Sequence, residues 1–149
     1  MEDDLPIQPS LTTRIAWLDP PDMVELETRV IAGNWRGVAR AYTSPDKLRR
    51  AAKSVQEWCH QPEGQAEINA GTDNGTGWMR LRFYPVDLAG HVVCHVDLAA
   101  EEIGRRPDSV RRLSLEMRSE VGLIERYARH LETIAESLGE EAVLLGLHE

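Results

Sequence analysis

Apolar and polar residues alternate along much of this chain, and turn signals divide the alternation into short segments. Alternation with a period of two is typical of strands whose two faces meet different surroundings. Reversals are marked at Asp19-Pro20-Pro21-Asp22, Gly33-Asn34, Asn74-Gly75 and Asp87-Leu88-Ala89-Gly90, and a first strand over Leu11–Leu18 ends at the double proline. The pattern therefore predicts antiparallel strands joined by tight connections.

The Gly33-Asn34 pair predicts a two-residue turn, because glycine suits the first central position of a type II′ turn. Pairing about this turn sets Leu26 opposite Ala41 on one face and Glu27 opposite Arg40 on the other. One face is then apolar and the other joins opposite charges. A slip of one residue would mix the two faces, so the agreement supports this register.

Asn74-Gly75 is the strongest turn signal, since both central residues of a type I′ turn need a positive φ. The Asp87–Gly90 loop then joins Trp78–Val86 to His91–Leu98. Folding about both turns predicts the apolar pairs Ala66–Phe83, Ile68–Leu81, Ala70–Met79, Phe83–Cys94, Leu81–Val96 and Met79–Leu98. It predicts the polar pairs Glu67–Arg82, Asn69–Arg80, Arg82–His95 and Arg80–Asp97.

Another alternating segment, Val110–Arg118, follows a loop at Glu101–Ser109, and two segments have helical spacing instead. Ser44-Pro45 supplies an N-cap followed by proline, and apolar residues continue at helical spacing to Cys59. The second helix is predicted over Glu120–Leu138, with Gly139 placed to end it. The last apolar stretch, Ala142–Leu147, is either a short edge strand or a segment that packs against a partner.

The predicted order is β-β-β-α-β-β-β-β-α, which indicates an α+β fold and not an alternating parallel one. We expect one antiparallel sheet of about six to seven strands with two amphipathic helices. The chain length favours a single domain over residues 1–149, with 1–10 as a loose lead-in. No internal repeat is evident.

The net charge is −8, from 25 acidic and 17 basic residues. Such a surface repels phosphate backbones, so we expect no nucleic-acid partner, and it suits a basic protein partner. No apolar run approaches the roughly 20 residues that cross a bilayer, and no signal peptide is evident, so a cytoplasmic protein is expected without membrane contact. Cys59 and Cys94 fall on apolar faces and are predicted to be buried free thiols.

The sequence offers no catalytic motif, metal site or cofactor site. His91 and His95 lie four residues apart in a predicted strand, which separates them by ~13 Å and prevents them from sharing a metal ion. There is no GxSxG elbow, and the glycines of 71–77 lack the Lys-Ser/Thr ending of a phosphate-binding loop. We therefore predict no catalytic residue, metal or cofactor.

One polar face of the predicted sheet is the candidate ligand or partner surface. Three interpretations remain: cross-strand pairing on a solvated face, a protein interface, and a small-ligand or catalytic site. Aromatic side chains among charges favour the second interpretation over the third. The candidate residues are Glu67, Asn69, Trp78, Arg80, Arg82, Tyr84, His91, His95 and Asp97.

The stretch from about Val24 to Leu138 resembles a group of small uncharacterised bacterial domains akin to the WapI-type toxin-immunity proteins. The likeness lies in Gly37–Tyr42 leading into the Ser44–Cys59 helix, then Trp78–Phe83, Gly90–Leu98 and Leu113–Met117 before a long terminal helix. The resemblance implies an antiparallel sheet with packed helices and a role in neutralising a partner protein. It implies no catalytic residue set.

Two functional hypotheses follow. The first is a cytoplasmic, non-catalytic protein-interaction domain, with toxin immunity as one version. The alternative is a small-molecule-binding domain or an enzyme that uses the polar face around Arg80, Arg82, His95 and Asp97. Under either hypothesis a homodimer could form through a sheet edge or through the Ala142–Leu147 tail.

Overall fold

The computed structural model describes residues 8–72, 77–100 and 111–148. They form an α+β fold of eight strands and two helices, which confirms the α+β class predicted from the sequence. In chain order the elements are β1 (Ser10–Asp19), β2 (Met23–Ala32), β3 (Trp35–Thr43), α1 (Pro45–His60), β4 (Ala66–Gly71), β5 (Trp78–Pro85), β6 (His91–Ala100), β7 (Arg111–Glu120), α2 (Val121–Ile134) and β8 (Glu141–Leu145). Neither helix of the described residues is long and apolar enough to cross a membrane.

The strands form two antiparallel sheets of four strands each. The first sheet has the order β3-β2-β1-β8, and the second has the order β4-β5-β6-β7. The prediction of one sheet with six to seven strands is therefore wrong. The Ala142–Leu147 stretch follows one of its two predicted alternatives, since β8 is a short edge strand. Local turn signals fix which neighbours pair, but they carry no information on where the chain passes from one sheet to another.

Within the hairpins, the predicted registers are confirmed. Leu26 pairs with Ala41, Ile68 with Leu81, and the other predicted pairs of both sheets occur as well. Ser44 caps α1 by accepting a hydrogen bond from the Lys47 amide at 3.1 Å. The ends of β7 and α2 differ by a few residues from the prediction. The Asn74-Gly75 turn, the loop at 101–109 and most of the lead-in lie outside the described residues.

The chain consists of two halves with the same element order, which the sequence did not reveal. The first half is β1-β2-β3-α1-β4, and the second is β5-β6-β7-α2-β8. In each sheet, three consecutive strands come from one half and the fourth strand comes from the other half. The halves therefore exchange their last strands: β4 pairs with β5, and β8 pairs with β1.

Strand lengths and contacts support this correspondence. β2 and β6 each contain 10 residues and occupy the same place in their sheets. Gly37 and Leu113, each the third residue of its strand, meet where β3 crosses β7. The buried helix residues also correspond at constant spacing: Leu48, Ala52 and Val55 in α1 match Ile124, Ala128 and Leu131 in α2. The buried positions therefore correspond between the two helices, although of these three pairs only Ala52 and Ala128 have the same residue type.

The two helices pack together and cover the core between the sheets. Their ion pairs show an antiparallel arrangement, since Arg49 near the start of α1 contacts Glu136 just beyond the end of α2. His60 at the end of α1 contacts Glu125 at 3.2 Å. Cys59 and Cys94 are free and buried, as predicted. Burial raises the pKa of Cys59 to about 12 and also raises the pKa of Cys94, so both thiols stay protonated at neutral pH.

A buried chain of polar groups links α2 to both sheets. The Tyr127 hydroxyl lies 2.7 Å from Thr13 Oγ1, and Thr13 lies 3.1 Å from Thr28 Oγ1 on the neighbouring strand. Thr28 in turn donates to the sulfur of Met79 in the second sheet at 2.9 Å. All these residues are almost completely buried. Burying hydroxyl groups requires partners, so this network constrains how the helix and the sheets fit together.

We predict that Tyr127→Phe lowers the free energy of unfolding by about 1 kcal/mol, because the substitution removes one buried hydrogen bond without opening a cavity. Urea unfolding followed by circular dichroism measures the change. Tyr84→Phe is the matched control, since the Tyr84 hydroxyl donates to Glu116 on an outer face. Equal losses in the two variants would contradict a special role for the buried chain.

Candidate functional site

The outer face of the second sheet carries the residues predicted as the candidate surface. Their strands alternate with the buried residues of the core, so Glu67, Asn69, Trp78, Arg80, Arg82, Tyr84, His95 and Asp97 all lie on this face. His91 begins β6 at the end of the face, and its Nδ1 lies 2.7 Å from Asp87 in the connection that precedes it. The predicted residues are thus brought together, with His91 at the margin.

Asp97 is the centre of this face. Its Oδ2 accepts hydrogen bonds from the Arg80 guanidinium, whose Nη2 is 3.2 Å away, and from Arg82 Nη2 at 3.2 Å. Burial alone would raise the pKa of Asp97, but hydrogen bonds from Ser114 and Arg80 and the nearby His95 outweigh burial and lower it. The carboxylate therefore stays charged and satisfied by its own neighbours, and Arg82 bonds to it and not to Glu67.

His95 has a serine and carboxylates around it, which invites comparison with a nucleophile triad. Its Nε2 lies 2.9 Å from Ser114 Oγ and 3.3 Å from Asp97 Oδ1. The Ser114 hydroxyl also hydrogen-bonds Asp97, and because a carboxylate only accepts, the serine proton is directed to Asp97 and not to the imidazole. The other nitrogen, Nδ1, is 3.7 Å from Glu116, beyond hydrogen-bond distance. The arrangement therefore lacks the geometry of a base-activated serine.

Aromatic residues at both ends of β5 are also engaged by their neighbours. The Arg80 guanidinium lies 5.1 Å from the centre of the Trp78 ring, within the range of a cation–π contact. The Tyr84 hydroxyl donates to Glu116, and this hydrogen bond raises the pKa of Tyr84. Most polar groups of the second sheet's outer face are thus paired with one another.

The outer face of the first sheet has a corresponding ionic centre at Glu27. Only 4% of Glu27 is exposed, and its carboxylate accepts hydrogen bonds from Arg14, Arg29 and Arg40. Burial alone would raise the pKa of Glu27, but the hydrogen bonds from Arg40, Arg29 and Arg14 lower it below its ordinary value. Sequence pairing predicted the Glu27–Arg40 contact but missed the other two arginines.

A bulge in β1 brings a tryptophan onto this same face. Ile15 pairs with Leu26 and Trp17 pairs with Glu25, so Ala16 is an extra residue in β1. Simple alternation would turn Trp17 towards the core, but the bulge directs it outwards, where 57% of it is exposed. Tyr42 pairs with Glu25 from the other side and is 41% exposed. Sequence pattern missed this aromatic row because a bulge breaks the period.

A cleft of about 700 Å³ adjoins the aromatic row where β3 of the first sheet meets β4 of the second. We name it the acidic cleft. It is lined by the end of the β1–β2 turn, the end of β3, the first turns of α1 and by β4. Its charged side chains are Asp22, Glu67 and Lys47, and Met23, Tyr42 and Asn69 also line it. Glu67 and Asn69 are two of the sequence-predicted site residues.

No three His, Cys, Asp or Glu side chains within the described ranges are placed to hold a metal ion.

Comparison of the chain with protein-family models, with curated proteins and with solved structures finds no match.

We predict that Glu27→Gln lowers the free energy of unfolding at pH 7 by about 1–2 kcal/mol, because three half-exposed arginines lose their common carboxylate. A lowered folded-state pKa stabilises the protein above the unfolded value near 4.3, and this contribution disappears as the pH falls through the folded-state pKa. The difference between the two proteins should therefore shrink below about pH 4.3.

Urea unfolding at a series of pH values measures this difference. Glu141→Gln is the control on the same sheet, because Glu141 is exposed at the edge strand opposite Arg14. A difference between wild type and Glu27→Gln that stays constant from neutral to acidic pH would contradict the ionised, arginine-bound carboxylate.

Proposed function

We propose that this chain is a non-catalytic protein-recognition domain that binds a basic segment of a partner protein. The observation that carries the proposal is the outward bulge at Trp17, which places an exposed tryptophan in one row with Tyr42 beside the acidic cleft. Tryptophan and tyrosine are enriched where protein interfaces gain most of their binding energy. A bulge that exposes a tryptophan costs core burial, which is consistent with a binding role.

The charges of the cleft support a basic segment as the occupant. Among the residues that the structure describes, Asp22 makes no ion pair, and Glu67 accepts a single hydrogen bond, from Asn69 at 3.1 Å. Two available carboxylates in an open cleft can pair with lysine or arginine side chains, while Trp17 and Tyr42 offer ring faces to the same cations. Lys47 is the one basic side chain that lines this cleft among the described residues.

The second sheet's polar face supports the alternative hypothesis less well. The groups around Arg80, Arg82, His95 and Asp97 are paired with one another, so a ligand would have to break existing hydrogen bonds to reach them. One atom differs: the buried Nε of Arg82 has no hydrogen-bond partner among the described residues. A small-molecule site on this face therefore remains the second proposal.

Toxin immunity is the version of the proposal that the resemblance to WapI-type immunity proteins suggests. It requires that the basic partner be a toxin and that binding block its activity. The acidic cleft suits this version, because opposite charge speeds the encounter of two proteins. A large toxin gene next to the gene of this chain would support it further.

A homodimer remains a prediction, but only part of the Ala142–Leu147 tail is exposed and could contribute to its interface. Within the Ala142–Leu147 tail, Ala142 and Leu144 are buried in the chain's own core, because β8 pairs with β1. Val143 and Leu145 point outwards and are 40% and 37% exposed. Light scattering on the purified chain distinguishes a monomer from a dimer.

We predict that a basic partner captured from the native host binds the wild-type chain and that Trp17→Ser weakens its affinity by about thirtyfold or more. Isothermal calorimetry on the purified partner at low and high salt measures the affinity. Binding should weaken as salt increases, because Asp22 and Glu67 contribute by charge.

Trp35→Ser is the matched control. Trp35 is 68% exposed at the Gly33-Asn34 end of the same sheet, away from the cleft. The proposal fails if Trp17→Ser and Trp35→Ser have equal effects, if no protein partner is captured, or if the affinity is indifferent to salt.

A further inference from the structure

The exchange of strands creates two equivalent seams between the sheets, and each seam has a cleft. At the first seam, β3 meets β4, with Ala41 against Gly71, and the acidic cleft lies there. At the second seam, β7 meets the chain just after β8, with Met117 against Gly146. A cavity of about 280 Å³ lies at this second seam, and we name it the basic cleft.

Corresponding positions of the two clefts carry different chemical groups. The first residue of β2 is Met23, which lines the acidic cleft, and the first residue of β6 is His91, which lines the basic cleft. The eighth residue of β3 is Tyr42, and the eighth residue of β7 is Arg118. One seam therefore presents thioether and phenol groups where the other presents imidazole and guanidinium groups.

Backbone hydrogen bonds fix the walls of the basic cleft. The Leu147 amide donates to the Arg118 carbonyl at 2.7 Å, which attaches the segment after β8 to the end of β7. The Val86 amide donates to the His91 carbonyl at 2.9 Å and closes the β5–β6 connection. The side chains that face this cavity are thus held on a defined frame, as a binding site requires.

Arg118 is the available cation of the cleft. Its guanidinium makes no hydrogen bond or ion pair with any other residue that the structure describes, although Arg80, Arg82 and Arg40 on neighbouring outer faces all have carboxylate partners. His148 also lines the cleft without a described partner. An unpaired guanidinium beside an imidazole in a concave site is suited to an anion.

His91 and Asp87 form the opposite wall. The Asp87 carboxylate accepts from His91 Nδ1 at 2.7 Å and from the Ala89 amide at 2.8 Å. The hydrogen bond from His91 is the main reason that the pKa of Asp87 lies below its ordinary value. Because Nδ1 donates to Asp87, the imidazole ring of His91 is held in one orientation at this wall of the cavity.

We propose that the basic cleft binds a small organic carboxylate. The planar Arg118 guanidinium pairs with the carboxylate through two parallel hydrogen bonds, and His91 and His148 flank it. The aliphatic side chains of Val86 and Leu147, which also line the cavity, contact a short apolar tail of the ligand. A volume of 280 Å³ is just below the usual range for drug-sized ligands, which limits the ligand to a few carbon atoms.

The apolar lining distinguishes an organic carboxylate from inorganic phosphate. Both anions pair with Arg118, but phosphate offers nothing for Val86 and Leu147 to contact. This site is independent of the proposed recognition of a basic protein, because the two clefts lie at different seams and share no lining residue.

Titration with sodium butyrate, followed by two-dimensional ¹H–¹⁵N NMR on the full chain at constant ionic strength, tests the proposal. We expect saturable shifts confined to Val86–Val92, Arg118 and 147–148, with butyrate binding more tightly than inorganic phosphate. Arg118→Gln should weaken butyrate binding by about tenfold or more, because it removes a charged, bidentate partner.

Arg111→Gln is the control in the same strand, since Arg111 is exposed and lines a different cleft. The spectrum of each unliganded variant shows whether its fold is retained. Phosphate binding that equals or exceeds butyrate binding would overturn the assignment to organic carboxylates. Absence of saturable shifts, or equal affinities for wild type and Arg118→Gln, would overturn the site itself.

Discussion

The reciprocal exchange of the two last strands is the constraint on which this structure depends. Three consecutive strands form a meander whose first strand has a free edge, and such edges invite pairing with other chains. Here β8 covers the edge of β1, and β4 covers the edge of β5. To reach the opposite sheet, each half must pass through its helix, so α1 and α2 are drawn together over one core. The sheets, helices and seams follow from this exchange.

The exchange also explains why candidate sites occur in pairs. Each seam brings the end of a third strand against the segment after a helix, and neither sheet alone could form the resulting cleft. The two clefts have the same frame, yet Tyr42 and Met23 at one seam correspond to Arg118 and His91 at the other. Two related halves can thus hold one acidic, aromatic surface and one basic cavity on a single core.

Charged side chains of this protein fall into two groups: those that pair with one another on the outer face of a sheet, and those that are open to a ligand. Glu27 and Asp97 lie on the central strands of the two sheets, and arginines from neighbouring strands surround each of them. These carboxylates are poor candidates for binding because their hydrogen bonds are already made. At the seams, Asp22, Glu67 and Arg118 make no ion pair with another residue that the structure describes. Pairing within a sheet therefore separates side chains that hold the fold from those that can meet a ligand.

Sequence reasoning succeeded where the physics is local and failed where it is not. Turn chemistry and alternation determined the register of each hairpin, so Ile68 opposite Leu81 and Arg80 opposite Asp97 could be predicted. The pairing of β8 with β1 depends on contacts between distant parts of the chain, which no turn signal marks. The candidate residues lie on one face of the second sheet, as expected. Which of their charged groups pair depends on how far each side chain reaches across the neighbouring strands, since Arg82 bonds to Asp97 and not to Glu67.

The bulge at Ala16 and the duplication were missed for related reasons. A single inserted residue reverses which face Trp17 occupies, and nothing in the local composition distinguishes the two outcomes. The two halves share burial but few residue types: Leu48 matches Ile124, and Val55 matches Leu131, while their polar positions differ. Packing constrains only which positions are apolar, so a repeat of structure persists without a visible repeat of sequence.

NMR on an equimolar mixture of isotope-labelled and unlabelled chains tests the strand exchange most directly. Cross-strand contacts between Thr13 and Ala142 report the pairing of β1 with β8, and those between Ile68 and Leu81 report the pairing of β4 with β5. If the strands are exchanged between the two halves of one molecule, both sets of contacts occur within single chains. Contacts between Thr13 and Ala142 that are missing, or that arise only between labelled and unlabelled molecules, would contradict this exchange.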